Sequence, residues 1–338
     1  MTLIAGIRGI RKSYIVADSR ATISYPDGTT EIKDNAQKWM HFNQFSTIAV
    51  AGDAHLGAYI AKYMASMSPE HQSFAVTKSN FDTYLENSAV QFNQFTGRFT
   101  SCAILLVGYD ITQKDDLDAA RLGDVMAAGV KKHGEGVSVE QNIDHEIIEA
   151  MSDALHANGG LRRGDRVGIN LSRSVVVGYK VSIIGKGVVI EEDYADTFES
   201  LFYGADSAYN KVEVPVETVA EIYFRDITGR SSRDVLLLDT VDLINFYKHT
   251  INDRKYTGVG GGIFPVMMTD TGGIFYSDEL VRQSILDGSR ETMRDTKMID
   301  GKLHYKEGDG QYMPYESLID IADELTTKQY KLDYSITY

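Results

Sequence analysis

Short apolar runs broken by polar connectors open the chain. Leu3 to Arg8 and Ser13 to Ala17 are apolar and partly β-branched, separated by Gly9 and a basic connector, and they predict the two strands of a hairpin. From Tyr25 to Asn35 the chain is polar around Pro26, Asp27 and Gly28, which predicts a turn or loop, and Phe45 to Ala51 resumes strand character. After Gly52 the period lengthens. Leu56, Tyr59, Ile60, Tyr63 and Met64 recur at helical spacing until Pro69, and Ser79 with Asp82 three residues on predicts the cap of a second helix carrying Phe81, Tyr84, Leu85, Ala89 and Phe92 on one face. Cys102 to Tyr109 has the apolar continuity of a buried strand, as do Ser174 to Ile184 and Val188 to Ile190.

The stretch from about 111 to 171 is more polar, with an amphipathic pattern of its own at Ile143, Ile147, Ile148, Met151 and Leu155, and it predicts an insertion. A long helix is expected from Ser231 through Leu237, Leu238, Val241, Ile244 and Tyr247 towards Ile251. The glycine-rich turn Gly258 to Gly262 then enters the apolar run Ile263 to Met268, and a polar extension from about 271 ends in a helix suggested by Leu318, Ile319, Ile321 and Leu325. Strands followed by helices point to an α+β fold with segregated layers, not to a doubly wound parallel sheet.

Composition narrows the partners. The 338 residues are 43% hydrophobic, enough for a substantial core, and carry a net charge of −14 with no basic run suited to a row of phosphates, so nucleic acid is excluded as a partner. No apolar stretch reaches the roughly 20 residues needed to cross a bilayer, and the first residues lack a secretory pattern, so a soluble, cytoplasmic protein without membrane contact is expected. Cys102 is the single cysteine and reads as a buried thiol. The eight histidines form no metal motif, and Gly258 to Gly262 lacks the Lys-Ser or Lys-Thr of a phosphate loop, so neither metal nor cofactor is expected. Twenty tyrosines, several near the C-terminus, suit subunit contacts as well as ordinary packing.

Chemistry gathers near the start. Removal of Met1 would expose Thr2 with a hydroxyl nucleophile and its own α-amine, whose unperturbed pKa of about 7.7–8.0 lets it accept the proton near neutral pH. Such a site needs a cation held by a carboxylate, and Asp18 and Arg20 at one strand's end and Lys38 at the next strand's start supply the types. Gly52, lacking a Cβ, would let its backbone N–H approach an oxyanion. Each is unremarkable singly, and Asp18 with Lys38 is equally an ordinary surface pair. Their order carries the signal.

The run Thr2-Leu-Ile-Ala-Gly-Ile, then Ile15-Val-Ala-Asp-Ser-Arg-Ala-Thr22, then Lys38, then Val50-Ala-Gly-Asp53 before a helix resembles the proteasome β-subunit family, which includes HslV and the Anbu proteins. The resemblance is strongest over about the first 65 residues and returns at Tyr203 to Ser207 and Asp253 to Gly258. It implies a four-layer αββα sandwich of the N-terminal nucleophile (Ntn) hydrolase type over 1–270, with the insertion at about 111–171 and a C-terminal extension over 271–338. It implies Thr2 as nucleophile, Asp18 orienting Lys38, with Lys33 as the fallback lysine, Arg20 as support, Gly52 as oxyanion donor, and Asp253 and Thr257 as further catalytic positions. Thr22, Val50 and Ala54 are implied to meet substrate. Where the family shows Gly-Ser-Gly, this chain has Gly204, Ala205 and Asp206.

The activity so implied is a threonine peptidase cleaving peptide (amide) bonds inside a homo-oligomeric ring or helical stack, fed by an ATP-dependent unfoldase. The alternative is a catalytically inactive structural or assembly protein of the same shape, which Ala205 and the long insertion favour; hydrolysis of a small amide stays open. Thr2, Asp18, Arg20, Lys38 and Gly52, complete and in order, favour the enzyme.

Overall fold

The computed structural model describes residues 2–9, 12–24, 28–43, 45–68, 74–110, 115–133, 166–169, 174–204, 209–229, 233–254, 259–268, 274–275, 295–300, 302–306, 310–317 and 320. The chain begins with strands β1 (Ile4–Arg8) and β2 (Ser13–Asp18), paired as the expected hairpin with Ile4 opposite Ala17. β3 (Ala21–Ser24) and β4 (Thr30–Lys33) follow as a second hairpin, with Thr22 opposite Ile32. The segment expected to be a loop over 25–35 therefore contains a strand. Its Thr, Glu, Ile and Lys residues are half-exposed or exposed, so the polarity that suggested a loop belongs to a strand with little core to face.

β5 (Ala36–Gln37), β6 (Trp39–Asn43) and β7 (Ser46–Gly52) lead to helices α1 (Ala54–Met67) and α2 (Phe74–Thr96), and then to β8 (Thr100–Tyr109). β9 (Asp115–Asp118), α3 (Ala119–His133) and β10 (Arg166–Ile169) lie within the expected insertion, and β11 (Ser174–Ile184), β12 (Gly187–Tyr194), β13 (Glu199–Tyr203) and β14 (Tyr209–Glu213) follow. Helices α4 (Val216–Gly229) and α5 (Arg233–Arg254) precede β15 (Ile263–Met268) and β16 (Ile274–Phe275). The described part ends with β17 (Asp295–Ile299), β18 (Lys302–Lys306), β19 (Met313–Pro314) and β20 (Glu316–Ser317).

The fold is mixed α/β with several antiparallel sheets. Six strands run in the order β14-β13-β1-β2-β15-β16 and five in the order β12-β11-β8-β7-β6. One apolar cluster joins the two sheets: Ile4, Ile15 and Ala17 meet Ala49, Ala51, Ala103, Leu105 and Val176. Small residues bring the sheets close, and at Gly6 an added Cβ would lie 2.6 Å from Val176 Cγ1. Strand alternation turns Ile48 and Val50 to the other face of β7, where Leu56, Tyr59, Ile60 and Met64 of α1 and Phe81, Leu85 and Phe92 of α2 cover them. Burying Leu56, Ile60 and Met64 contributes about 1.5–3 kcal/mol each. The outer face of the six-stranded sheet, with Leu3, Ala5, Tyr14 and Val16, packs on Val219 and Ile222 of α4 and on Ile244, Tyr247 and Ile251 of α5.

Three expectations need correction or extension. α2 starts at Phe74, not near Ser79, because Phe74 and Thr77 continue its buried stripe towards the N-terminus; the Ser79 hydroxyl donates to the Val76 carbonyl at 2.9 Å inside the helix. α4 was not anticipated, although Pro215 followed by Glu217 and by Val219, Ala220 and Ile222 at helical spacing is a start signal. α3, also unforeseen, is fastened to the body through Arg121, whose Nη2 donates to the carbonyls of Phe198 (2.6 Å) and Val214 (3.0 Å).

β9 and β10 pair with each other at the two ends of the insertion, and its predicted helix over 143–155 lies outside the described residues. Beyond 270 the chain rejoins the body twice, as β16 beside β15 and as β20 beside β5. The helix expected near 318–325 lies outside the described residues except Asp320. Among the described residues no helix is long and apolar enough to cross a membrane.

Candidate active site

β2 carries Asp18 to the end of the six-stranded sheet, where the carboxylate is fully buried. Four donors converge on it. Oδ1 accepts from the Leu3 backbone N–H at 2.8 Å and from Lys38 Nζ at 2.5 Å; Oδ2 accepts from the N–H groups of Gly260 at 3.1 Å and Arg20 at 3.3 Å. A carboxylate with only acceptors matches that set. Lys38 is 2% exposed, and burial lowers its ammonium below the ordinary lysine range while the charge and hydrogen bond of Asp18 work against that shift.

The shared oxygen fixes a distance relation. Because Oδ1 holds both Lys38 Nζ and Leu3 N, the ammonium lies two hydrogen bonds from the peptide that joins Thr2 to Leu3. Thr2 itself is half-buried. The Leu3 carbonyl is fixed as well, by Asp18 N–H at 3.3 Å and by the hydroxyl of the buried Tyr247 of α5 at 2.7 Å. The start of the chain is thus held by β2 on one side and by a helix on the other.

Arg20 does not reach the Asp18 carboxylate with its guanidinium. Its Nε and Nη2 donate to Asp34 at 2.6 and 2.8 Å in a two-pronged pair, and Gly260 lies under the fork, where an added Cβ would come within 2.5 Å of Cζ. Ser19 between them donates its hydroxyl to the Asp34 carbonyl at 2.7 Å and accepts from Gly262 N–H at 2.6 Å. Gly261 adopts φ +73°, and a Cβ there would lie 2.3 Å from Ser19 Oγ. The glycine-rich turn, read from sequence as a strand entry, is also the cover of the Asp18, Ser19 and Arg20 turn. Ser19, Asp34, Gly260 and Tyr247 were not singled out as site residues. The glycine cluster was the one local signal for Ser19, Asp34 and Gly260, since the partners it meets lie more than two hundred residues away, and Tyr247 was legible only as part of a helix's apolar stripe.

Of the two lysines considered, Lys38 meets Asp18 and Lys33 pairs with Glu316 at 2.7 Å. Gly52 closes β7 with φ +94°, a conformation favoured only by glycine, and stands opposite Cys102. Asp53 then caps α1, accepting from the N–H groups of His55 at 2.8 Å and Leu56 at 3.1 Å. Burial opposes its ionisation, but hydrogen bonds from His55, Thr100 and Leu56 and the charge of Arg98 prevail and hold its carboxyl well below the usual range.

The remaining expected residues are scattered. Ala54 is the half-buried first residue of α1, and Thr22 is exposed on β3. The Val50 side chain packs under α1, where a Cβ on Gly57 would meet its Cγ1 at 2.1 Å, so it belongs to the helix-side core and not to the inter-sheet face of Ala49 and Ala51. Asp253 lies at the exposed end of α5, with His249 Nδ1 at 3.5 Å, and is not joined to the Asp18 cluster. Thr257, Ala205 and Asp206 lie outside the described residues, while Gly204 is buried after β13. No three His, Cys, Asp or Glu side chains among the described residues are grouped as a metal would require.

No protein-family model matches the chain, and no curated protein is significantly similar to it in sequence. The site's own chemistry is that of a buried lysine on a buried carboxylate, beside the peptide bond that joins Thr2 to Leu3.

Proposed function

We infer that the chain is a proteasome-like N-terminal threonine hydrolase that cleaves peptide (amide) bonds, on a four-layer αββα scaffold of the Ntn type. One observation carries this reading: Asp18 Oδ1 holds the Lys38 ammonium and the Leu3 amide together. Two face-to-face sheets with helices packed on each outer side support the layering. A buried ion pair is a poor device for stability, so its placement beside Thr2 favours a chemical purpose.

The chemistry requires that Met1 be removed. The Thr2 hydroxyl then attacks the substrate carbonyl carbon while its α-amine takes the hydroxyl proton. Lys38 favours the neutral amine and stabilises the developing alkoxide, and the Gly52 N–H serves the carbonyl oxygen. Collapse breaks the C–N bond, with the proton passing from the α-amine to the leaving nitrogen, and water hydrolyses the resulting ester to return Thr2. A homo-oligomeric assembly fits the apolar surface around Phe95, Phe99 and Ile184, which are 66%, 73% and 66% exposed. The second reading, an inactive structural relative, is favoured by the exposure of Asp253.

The test is intact mass of the protein from its native host, followed by a peptide epoxyketone, which needs both a hydroxyl and a free α-amine on one residue. Loss of Met1 and a covalent adduct abolished by Thr2→Ala are expected. Retained Met1 with no adduct would sink the enzyme and leave the structural protein.

A further inference from the structure

The segment that carries Asp34 and Lys38 has little ladder of its own. β5 spans two residues and lies between the end of β2, where Ala36 N–H donates to the Ser19 carbonyl at 2.9 Å, and β20, whose Glu316 N–H donates to the Asn35 carbonyl at 3.1 Å. β20 runs parallel to β5 with Glu316 opposite Ala36 and Ser317 opposite Gln37. The Glu316 carboxylate bonds Lys33 Nζ at 2.7 Å and Asn35 Nδ2 at 3.4 Å, across 283 and 281 residues of sequence. Beside it Tyr315, 4% exposed, enters the inter-sheet cluster that contains Trp39, Ile4 and Ala17. β19, just before Tyr315, is itself tied to β18 through the pairs His304 with Pro314 and Tyr305 with Met313.

We propose that Met313–Ser317 is a built-in clamp that sets Lys38 against Asp18, with Tyr315 and Glu316 as positioning residues. Its logic is mechanical. The side chain of Lys38 must stay buried and aimed at Asp18, and its backbone joins the two-residue β5 to the five-residue β6. Its carbonyl accepts from Val50 N–H at 2.9 Å, but on the other side β5 is held only through its bonds to Ser19 and β20, and so short a strand opens locally at low cost. Tyr315 fixes the segment from the core side through the cluster of Trp39, the residue next to Lys38, and Glu316 fixes it from the edge through Lys33 and Asn35. The far end of the chain thereby controls whether the Asp18–Lys38 pair forms, so the candidate site is complete only when the clamp is seated. The catalytic consequence rests on the function proposed above; the placement of Lys38 does not.

The experiment uses the full chain with Tyr315→Ala and, as an isosteric variant that leaves the core intact, Glu316→Gln. Native protein is acetylated briefly with an N-hydroxysuccinimide ester, and modification of each lysine is read by peptide mass spectrometry, with the exposed turn residue Lys186 as internal reference. In the parent, Lys38 is expected to resist; in both variants its modification relative to Lys186 should rise about tenfold or more. Epoxyketone labelling of Thr2 should fall in the same order.

Lys38 protection within about twofold of the parent in both variants overturns the clamp, as does a rise shared equally by every buried lysine, which would report general loosening. Unchanged Thr2 labelling beside a deprotected Lys38 would bear out the placement of Lys38 by the clamp and overturn its catalytic consequence. If the parent is never labelled at Thr2, the hydrolase reading fails, and the acetylation ratio alone still decides the clamp.

Discussion

Replacing Asp18 with Asn should cost about 3–5 kcal/mol of folding stability, the range for removing one partner of a buried ion pair. The carboxylate is fully buried and Lys38 is 2% exposed, so solvent can neither hydrate the orphaned ammonium nor substitute for the lost acceptor. Asn keeps the shape but offers one acceptor oxygen and an NH2 group to a place where four donors now converge. Lys38→Met in the same chain removes the stranded charge, so the double variant should recover about 2 kcal/mol relative to the sum of the single losses. Urea unfolding followed by the fluorescence of Trp39 is a suitable assay, since the only tryptophan adjoins Lys38 and is 5% exposed. A loss below about 1 kcal/mol for Asp18→Asn, or single losses that simply add, would refute a buried, coupled pair.

Three further outcomes follow from the same contacts. Burial holds the Lys38 pKa below its ordinary value, so between the folded value and about 10.4 the unfolded chain binds more protons than the folded one, and stability should rise with pH across that window; a parent-minus-Lys38→Met difference that stays flat from neutral pH to about 10 contradicts this. Gly260→Ala should cost about 1–3 kcal/mol by pushing a methyl into the Arg20 fork, and much less in an Arg20→Ala background; equal costs in the two backgrounds would place the strain elsewhere. Cys102 is fully buried, and burial pushes its thiol pKa far above the usual range, so an aromatic disulfide reagent should react only as fast as the protein unfolds; a fast reaction under native conditions would show the five-stranded sheet to be open there.

Much of this protein was fixed locally. The β1–β2 hairpin, the strand ending at Gly52, the helix that follows it and the strands from Cys102 and Ser174 were legible because each buries a face whose period, two or 3.6, is written in consecutive residues. That Asp18 would hold a lysine was legible too, from residue types and their order, with Lys38 preferred and Lys33 left open. Tertiary structure alone decided the rest. It chose Lys38 over Lys33, turned Val50 into the helix-side core, left Asp253 in solvent, and brought Tyr247, Gly260 and Tyr315 to the Asp18 neighbourhood from remote parts of the chain. The reason is physical. Periodicity records which face of an element is apolar, whereas the partner of a buried charge depends on which distant backbone groups the packed sheets and helices bring within hydrogen-bond reach.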